Sequence, residues 1–316
     1  MKKVTELLGI KYPIFCGAMG GVSRPALVGA VAEAGGMGIL ATAGSSPERV
    51  REDIRQIREL TDKPFGANVA IMTGNAAALI DVMLEEGVTF FTTGAGDPLP
   101  FFEKIHAAGA KVFPVVPSAR VAKKMEDNGA DGVVVEGMEA GGHVGTATTM
   151  TLTRQACAVV KNIPVIAAGG IADGHGIVAA YALGAAGVQV GTAFVASVEA
   201  PIHDNYKQAL VDANDTATFI SGSNTRGPIR ITKNQAALKH VQLDEHKTVD
   251  LDALEAYTIP SLVRAARDGD TDNEIVTFGQ IAGLIKSVRP VKEIIESMFA
   301  EANEVIDALS DAKHQA

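Results

Sequence analysis

Eight short β-rich runs, each followed by a helical pattern, constrain this chain more than any other feature. The runs are Tyr12–Gly17, Met37–Thr42, Pro64–Val69, Thr89–Gly94, Lys111–Pro117, Asp131–Gly137, Pro164–Gly170 and Gly187–Thr192. They recur at roughly 18–34 residues, the length of a βα unit. Amphipathic stretches such as Arg24–Gly35, Ser46–Thr61 and Ala119–Gly129 lie between them, several closing on a glycine suited to a left-handed helix stop. Eight such units in succession predict an α/β fold, a (β/α)8 TIM barrel, in preference to an open doubly wound sheet. No Gly-x-Gly-x-x-Gly fingerprint follows the first strand, which points the same way.

Past Phe194 the regularity stops. Residues 201–289 carry helical patterns at Ile202–Ala213 and Leu251–Asp268 with a polar, glycine-broken stretch between them. Pro290 then opens a final helix with an apolar stripe through Val291, Ile294, Ile295, Met298, Phe299, Ala302, Val305, Ile306 and Leu309. The expected division is a barrel from residues 1–200 and 290–316, with 201–289 as a smaller, mainly helical domain covering the C-terminal rim. The 316 residues accommodate this, since one barrel uses about 250.

Composition narrows the partners. A net charge of −9 disfavours nonspecific binding to nucleic acid or to anionic membrane surfaces. No apolar run reaches the roughly 18–20 residues of a membrane span. The opening Met1-Lys2-Lys3-Val4-Thr5-Glu6 lacks the apolar stretch of a signal peptide. Cys16 and Cys157 are the only thiols, too few for a disulfide framework, so a cytoplasmic location is expected.

Barrel enzymes work at the rim formed by the C-terminal ends of their strands. Here Val133-Val134-Val135-Glu136 runs into Gly137-Met138-Glu139-Ala140-Gly141-Gly142-His143, and strands seven and eight end in Ala168-Gly169-Gly170 and Gly191-Thr192. Glycines there let main-chain N–H groups approach an anion, and the loops after strands seven and eight often hold phosphate. A phosphorylated cofactor is the expectation, bound by Gly169, Gly170, Gly191 and the Thr192 hydroxyl. His143 is placed for an acid/base or substrate-polarising role, and no ligand set for a metal accompanies it. Glu136 either binds ligand hydroxyls or caps a neighbouring amide. Asn68 either bonds the barrel or reads a ligand's edge. Cys16 reads as a small buried thiol, and His175, His203 and His240 as solvated. Arg226, Arg230, Lys233 and Lys239 fall in a stretch without acids, which either meets an anionic partner or is a solvated face.

These residues resemble the flavin-dependent enoyl-(acyl carrier protein) reductase II family, within the nitronate monooxygenase superfamily. The matching motifs are Lys11-Tyr12-Pro13-Ile14-Phe15, Thr61 through Gly66, Thr92 through Gly96, Glu136 through Gly145, Ile166 through Gly174 and Gln189 through Thr192. The resemblance implies FMN, contacted by Ala18, Met19 and Gly20, by Asn68, by Glu136, Gly141 and Gly142, and by Ala168, Gly169, Gly170, Gly191 and Thr192. It implies His143 as the active-site histidine, NADH or NADPH as co-substrate, and an enoyl thioester on acyl carrier protein as substrate; a homodimer is compatible. The alternative within the superfamily is oxidation of alkyl nitronates by O2. A module that binds flavin or carrier protein without turnover is disfavoured by the intact histidine. The chain departs from the reductases after strand one, where Cys16-Gly17-Ala18-Met19-Gly20-Gly21 replaces Gln-Gly-Gly-Met-Ala-Trp, and at Ala193, where Arg is commoner. Both changes bear on the substrate pocket more than on flavin binding.

Overall fold

Runs that are apolar on both faces are buried on both faces, which in a parallel sheet means side chains inside and helices outside. The computed structural model, which describes residues 3–312, arranges them so. The strands are β1 (Ile14–Cys16), β2 (Gly38–Ala41), β3 (Phe65–Ala70), β4 (Phe90–Gly94), β5 (Lys111–Val116), β6 (Val133–Glu136), β7 (Gly142–His143), β8 (Val165–Ala168), β9 (Gly187–Val190), β10 (Thr218–Ser221) and β11 (Ile229–Thr232). Eight of them form one parallel sheet in the order β1-β9-β8-β6-β5-β4-β3-β2. A single bridge, Phe15 to Met37, joins β1 to the start of β2, with Met37 N–H on Ile14 O (2.8 Å) and Cys16 N–H on Met37 O (2.9 Å). The expected TIM barrel is present, each strand end within two residues of its expected place.

Alternation along each strand sorts the side chains. Phe15, Ile39, Phe90, Phe113, Val134 and Ile166 fill the interior, while their neighbours Ile14, Val133, Val135 and Val188 face the helices. Three phenylalanine rings meet at the centre, with centroids 5.1–5.9 Å apart. Gly132 makes room for them, since a Cβ there would lie 2.3 Å from the Phe113 ring. Extending the same alternation to the strand ends turns Asn68, Thr92, Glu136, Ala168 and Gln189 into the mouth.

Residues 201–289 hold the helices Asp204–Val211, Gln235–Glu245 and Leu251–Asp268 and the short 3-10 turn Gln280–Leu284. They also hold a β-hairpin, β10–β11, which the polar composition of the stretch hid. β11 pairs antiparallel with β7, aligning Ile229 with His143 and Arg230 with Gly142, so the barrel's own sixth loop completes a three-stranded sheet. The hairpin has a small core of Ile229, Ile231, Ala236, Ala237 and Ile275. The last helix, Val291–Ala312, lays Val291, Ile294, Ile295, Met298 and Ala302 into the core beside β8, β9 and β1. Residues 1–2 and 313–316 of the expected barrel segments lie outside the described residues. No described helix is long and apolar enough to cross a membrane.

Candidate active site

The glycine loops after β8 and β9 lie side by side at the rim. Gly169 and Gly170 both have positive φ (100° and 69°), a backbone shape that suits glycine. None of the main-chain N–H groups of Gly169, Gly170, Gly191 and Thr192 has a protein acceptor among the described residues. The Thr192 hydroxyl accepts from Gly279 N–H at 2.8 Å, which leaves its own hydrogen free to donate. Four N–H donors without a protein acceptor and one hydroxyl, on the adjacent loops after β8 and β9 at the start of the short helix Thr192–Val195, fit a phosphate group. Met19 reaches this cradle from the first loop, its Sδ 3.3 Å from where a Gly191 Cβ would stand. Ala18 is half-buried beside it, and Gly20 is exposed with open space around it.

The floor of the mouth is set by register. Glu136, Ala168 and Gln189 align across β6, β8 and β9, so two polar groups flank a methyl. Gln189 was not singled out from the sequence, although the buried Val188 and Val190 on either side of it imply its inward direction. Opposite, Asn68 donates its amide to Thr92 Oγ1 at 2.9 Å, while the Thr42 hydroxyl donates to Asn68 O at 2.5 Å. One hydrogen of the Asn68 side-chain NH2 is thus used within the barrel, while its other hydrogen and Oδ1 have no hydrogen-bond partner among the described residues.

The Glu136 carboxyl makes no hydrogen bond to protein among the described residues. Desolvation pushes its carboxyl from 4.5 up to about 7, against the opposing charge of His143. A carboxyl raised in the folded state stabilises the fold below its unfolded value and loses that contribution as pH climbs through the folded one. The cofactor-free chain is therefore expected to lose stability between pH 4.5 and about 7, by on the order of 3 kcal/mol, and Glu136→Gln to flatten the slope. Urea midpoints across that range check it; parallel pH profiles for the two proteins would contradict it.

The sixth loop carries the remaining groups and is the seam between barrel and cover. Glu139 accepts from Thr149 N–H through both oxygens (3.0 and 2.9 Å), while its main-chain oxygen accepts from Gln280 N–H at 2.9 Å. Gly141 is pressed against the cover, where a Cβ would meet Phe278 and Gly279 main chain at 2.6–2.8 Å. Gly142 has φ of 82° and pairs with Arg230. His143 is half-exposed, and its Nε2 lies 2.8 Å from Glu255 Oε1 on the covering helix Leu251–Asp268. Glu255, 112 residues away, carries no local sign of this role.

Two expectations need correction. Arg230 is not a surface cation: it is 5% exposed and donates to Met138 O (3.0 and 2.8 Å) and to Thr218 Oγ1 (3.1 Å). Of the four cations in that stretch, Arg226, Lys233 and Lys239 are exposed, and Lys239 Nζ sits 4.7 Å from the Tyr257 ring centroid. Arg230→Ala should cost about 1.5–3 kcal/mol of stability, because Met138 O loses a charged donor; an unchanged denaturation midpoint would refute this. His240 is not solvated either. It is fully buried under the hairpin with Nδ1 2.9 Å from the Ser221 hydroxyl, and burial lowers its pKa. Cys16 is the inert thiol expected, pushed up to about 12 by burial. Asp173, His175 and Glu301 bring ligand atoms within 4.8 Å of one another, but their carboxylates already accept the N–H groups of Gly176 and Gly174.

Comparison with known proteins finds relatives over nearly the whole chain. A family model described as nitronate monooxygenase matches residues 1–79 and 70–301. The fold superimposes on FabK from Thermotoga maritima with a TM-score of 0.94 at 41% identity, covering 98% of this chain and 99% of that one. The chain is 33% identical to the (3aS,4S,5R,7aS)-5-hydroxy-7a-methyl-1-oxo-octahydro-1H-indene-4-carboxyl-CoA dehydrogenase of Rhodococcus jostii, over 97% of each. It is also 33% identical to the nitronate monooxygenase of Pseudomonas aeruginosa, over 95% of this chain and 98% of that protein. With a family model over residues 1–301 and relatives matched along nearly the whole barrel and its cover, the chain belongs to the nitronate monooxygenase family of flavin-dependent oxidoreductases.

Proposed function

We propose that this protein reduces 2-enoyl thioesters, carried on acyl carrier protein, with NADH or NADPH as reductant and FMN as bound cofactor. The observation that carries the reading is the likeness to FabK, an enoyl-acyl carrier protein reductase II, at 41% identity over 98% of the chain. The relative named for a carboxyl-CoA substrate adds a second thioester-handling protein on the same frame. The chemistry a bound FMN supplies is hydride transfer between a nicotinamide and the β-carbon of the enoyl group. The chain's own part is to hold and polarise. Gly169, Gly170, Gly191 and Thr192 take the phosphate, and Glu136, Gln189 and Asn68 address hydroxyls or ring edges over the barrel. A single phosphate cradle without a dinucleotide fingerprint supports FMN over FAD. His143 stands where it can hydrogen-bond a thioester carbonyl as charge develops there, or deliver a proton.

Nitronate oxidation is the second reading, favoured by the family model and by the Pseudomonas aeruginosa relative. One experiment separates them. Flavin-loaded protein is mixed anaerobically with NADH or NADPH and then with crotonyl thioester, while flavin absorbance is followed. Enoyl-dependent reoxidation supports the reductase. Reduction by nitronate with reoxidation by O2, and indifference to the enoyl thioester, would replace it.

A further inference from the structure

We propose that Glu255 is a positioning residue for His143: it fixes the tautomer of the imidazole and leaves Nδ1 as the atom available to substrate. The geometry stands apart from the proposed thioester reduction, while the catalytic consequence rests on it. Both partners are held by rigid elements. His143 is a strand residue paired with Ile229. Glu255 lies in the second turn of a helix capped by Asp250, which accepts from Ala253 N–H at 3.0 Å. Buried Leu254 and the Tyr257 hydroxyl, which donates to Ala236 O at 3.2 Å, fix that helix against its neighbours. The 2.8 Å contact between Oε1 and Nε2 is therefore set from both sides.

A carboxylate has lone pairs only, so its partner must donate. Nε2 of His143 carries the hydrogen, and in the neutral ring Nδ1 carries none. Neutral His143 can then only accept at Nδ1. To donate there the ring must be the imidazolium, whose charge Glu255 faces as an ion partner. Transfer of that proton to the substrate's α-carbon breaks the Nδ1–H bond and forms a C–H bond. The hydride that reaches the β-carbon, drawn from NAD(P)H, completes saturation of the double bond. The ring returns to neutral with Nε2–H still on Glu255, so no tautomer exchange interrupts turnover. The half-exposed ring regains its Nδ1 proton from solvent.

The test is long-range 1H–15N NMR of histidine-labelled protein, at a pH where the His143 ring is neutral, with the signal assigned by its loss in His143→Gln. Wild type and Glu255→Gln are expected to show the Nε2–H tautomer, since the glutamine oxygen still accepts. Glu255→Ala is expected to show a mixture. In stopped flow, Glu255→Ala should slow enoyl-dependent reoxidation by about 10–100-fold, with flavin content retained and the thioester KM within about threefold; Glu255→Gln should recover part of the rate. A wild-type ring protonated at Nδ1, or an alanine variant still wholly Nε2–H, would overturn the proposal whatever the reaction proves to be. Absence of enoyl turnover in wild type strikes the reductase reading and leaves the tautomer result to decide this one.

Discussion

His143→Ala is expected to keep its flavin and its reduction by NAD(P)H while losing about 10²–10⁴-fold in the step that consumes enoyl thioester. The side chain is half-exposed, and its one hydrogen bond among the described residues is to Glu255. Its main chain pairs with Ile229 and is unaffected by truncation. Removing it should therefore leave folding within about 0.5 kcal/mol of wild type, as at ordinary surface positions. The phosphate cradle lies on other loops, so cofactor retention should not change. Stopped-flow separation of the half-reactions measures the effect directly. Wild-type reoxidation by enoyl thioester in the variant would remove His143 from the chemistry.

Gly170→Val should lose cofactor before it loses fold. At φ of 69° a β-branched residue is a steric outlier, and its Cβ would stand 3.2 Å from Glu139 Cβ. The two valine methyls add bulk beside the N–H groups of Gly169 and Gly170 and are expected to keep an anion from approaching them. Each such charge-assisted hydrogen bond contributes about 1.5–3 kcal/mol, so losing both weakens binding by roughly 10²–10⁴-fold. The left-handed backbone costs the fold about 1–2 kcal/mol. Flavin content and thermal midpoint, measured together, separate the two. Gly170→Ala shares the backbone strain with less occlusion and should retain more flavin. Full occupancy in the valine variant would make the loop a turn and nothing more.

The barrel was legible because its strands are buried on both faces and read as unbroken apolar runs, Val133-Val134-Val135 most plainly. The hairpin was not. Thr218–Ser221 is half-exposed for most of its length, and Ile229–Thr232 contains an arginine whose charge argued for solvent. Only pairing with β7 explains why that arginine is inside, since it turns Arg230 toward Met138 O. His240 was hidden for a similar reason, because its helix is buried by the hairpin and by the distant segment 251–275, neither of which leaves a local pattern. Glycines and His143 were legible at the rim through their place at strand ends. Glu255 and the Gly279 N–H on Thr192 were not, because both arrive from distant segments with no local pattern. The mouth residue Gln189 was within reach of the alternation and was passed over.

The seam at the sixth loop also dictates an order of assembly. All eight barrel strands have been made once synthesis passes Thr192, with Gly169, Gly170, Gly191 and His143 already in the chain. Yet β7 has no partner until Ile229 and Arg230 exist, and the Thr192 hydroxyl waits for Gly279. The apolar flank beside β8, β9 and β1 stays bare until Val291, Ile294, Ile295, Met298 and Ala302 arrive. A chain emerging from the ribosome therefore carries the residues of the candidate site well before it can hold them, and exposes aliphatic surface meanwhile. Flavin capture belongs to the end of folding, after the last helix has docked, and chains interrupted between Val190 and that helix are the ones that will need chaperoning.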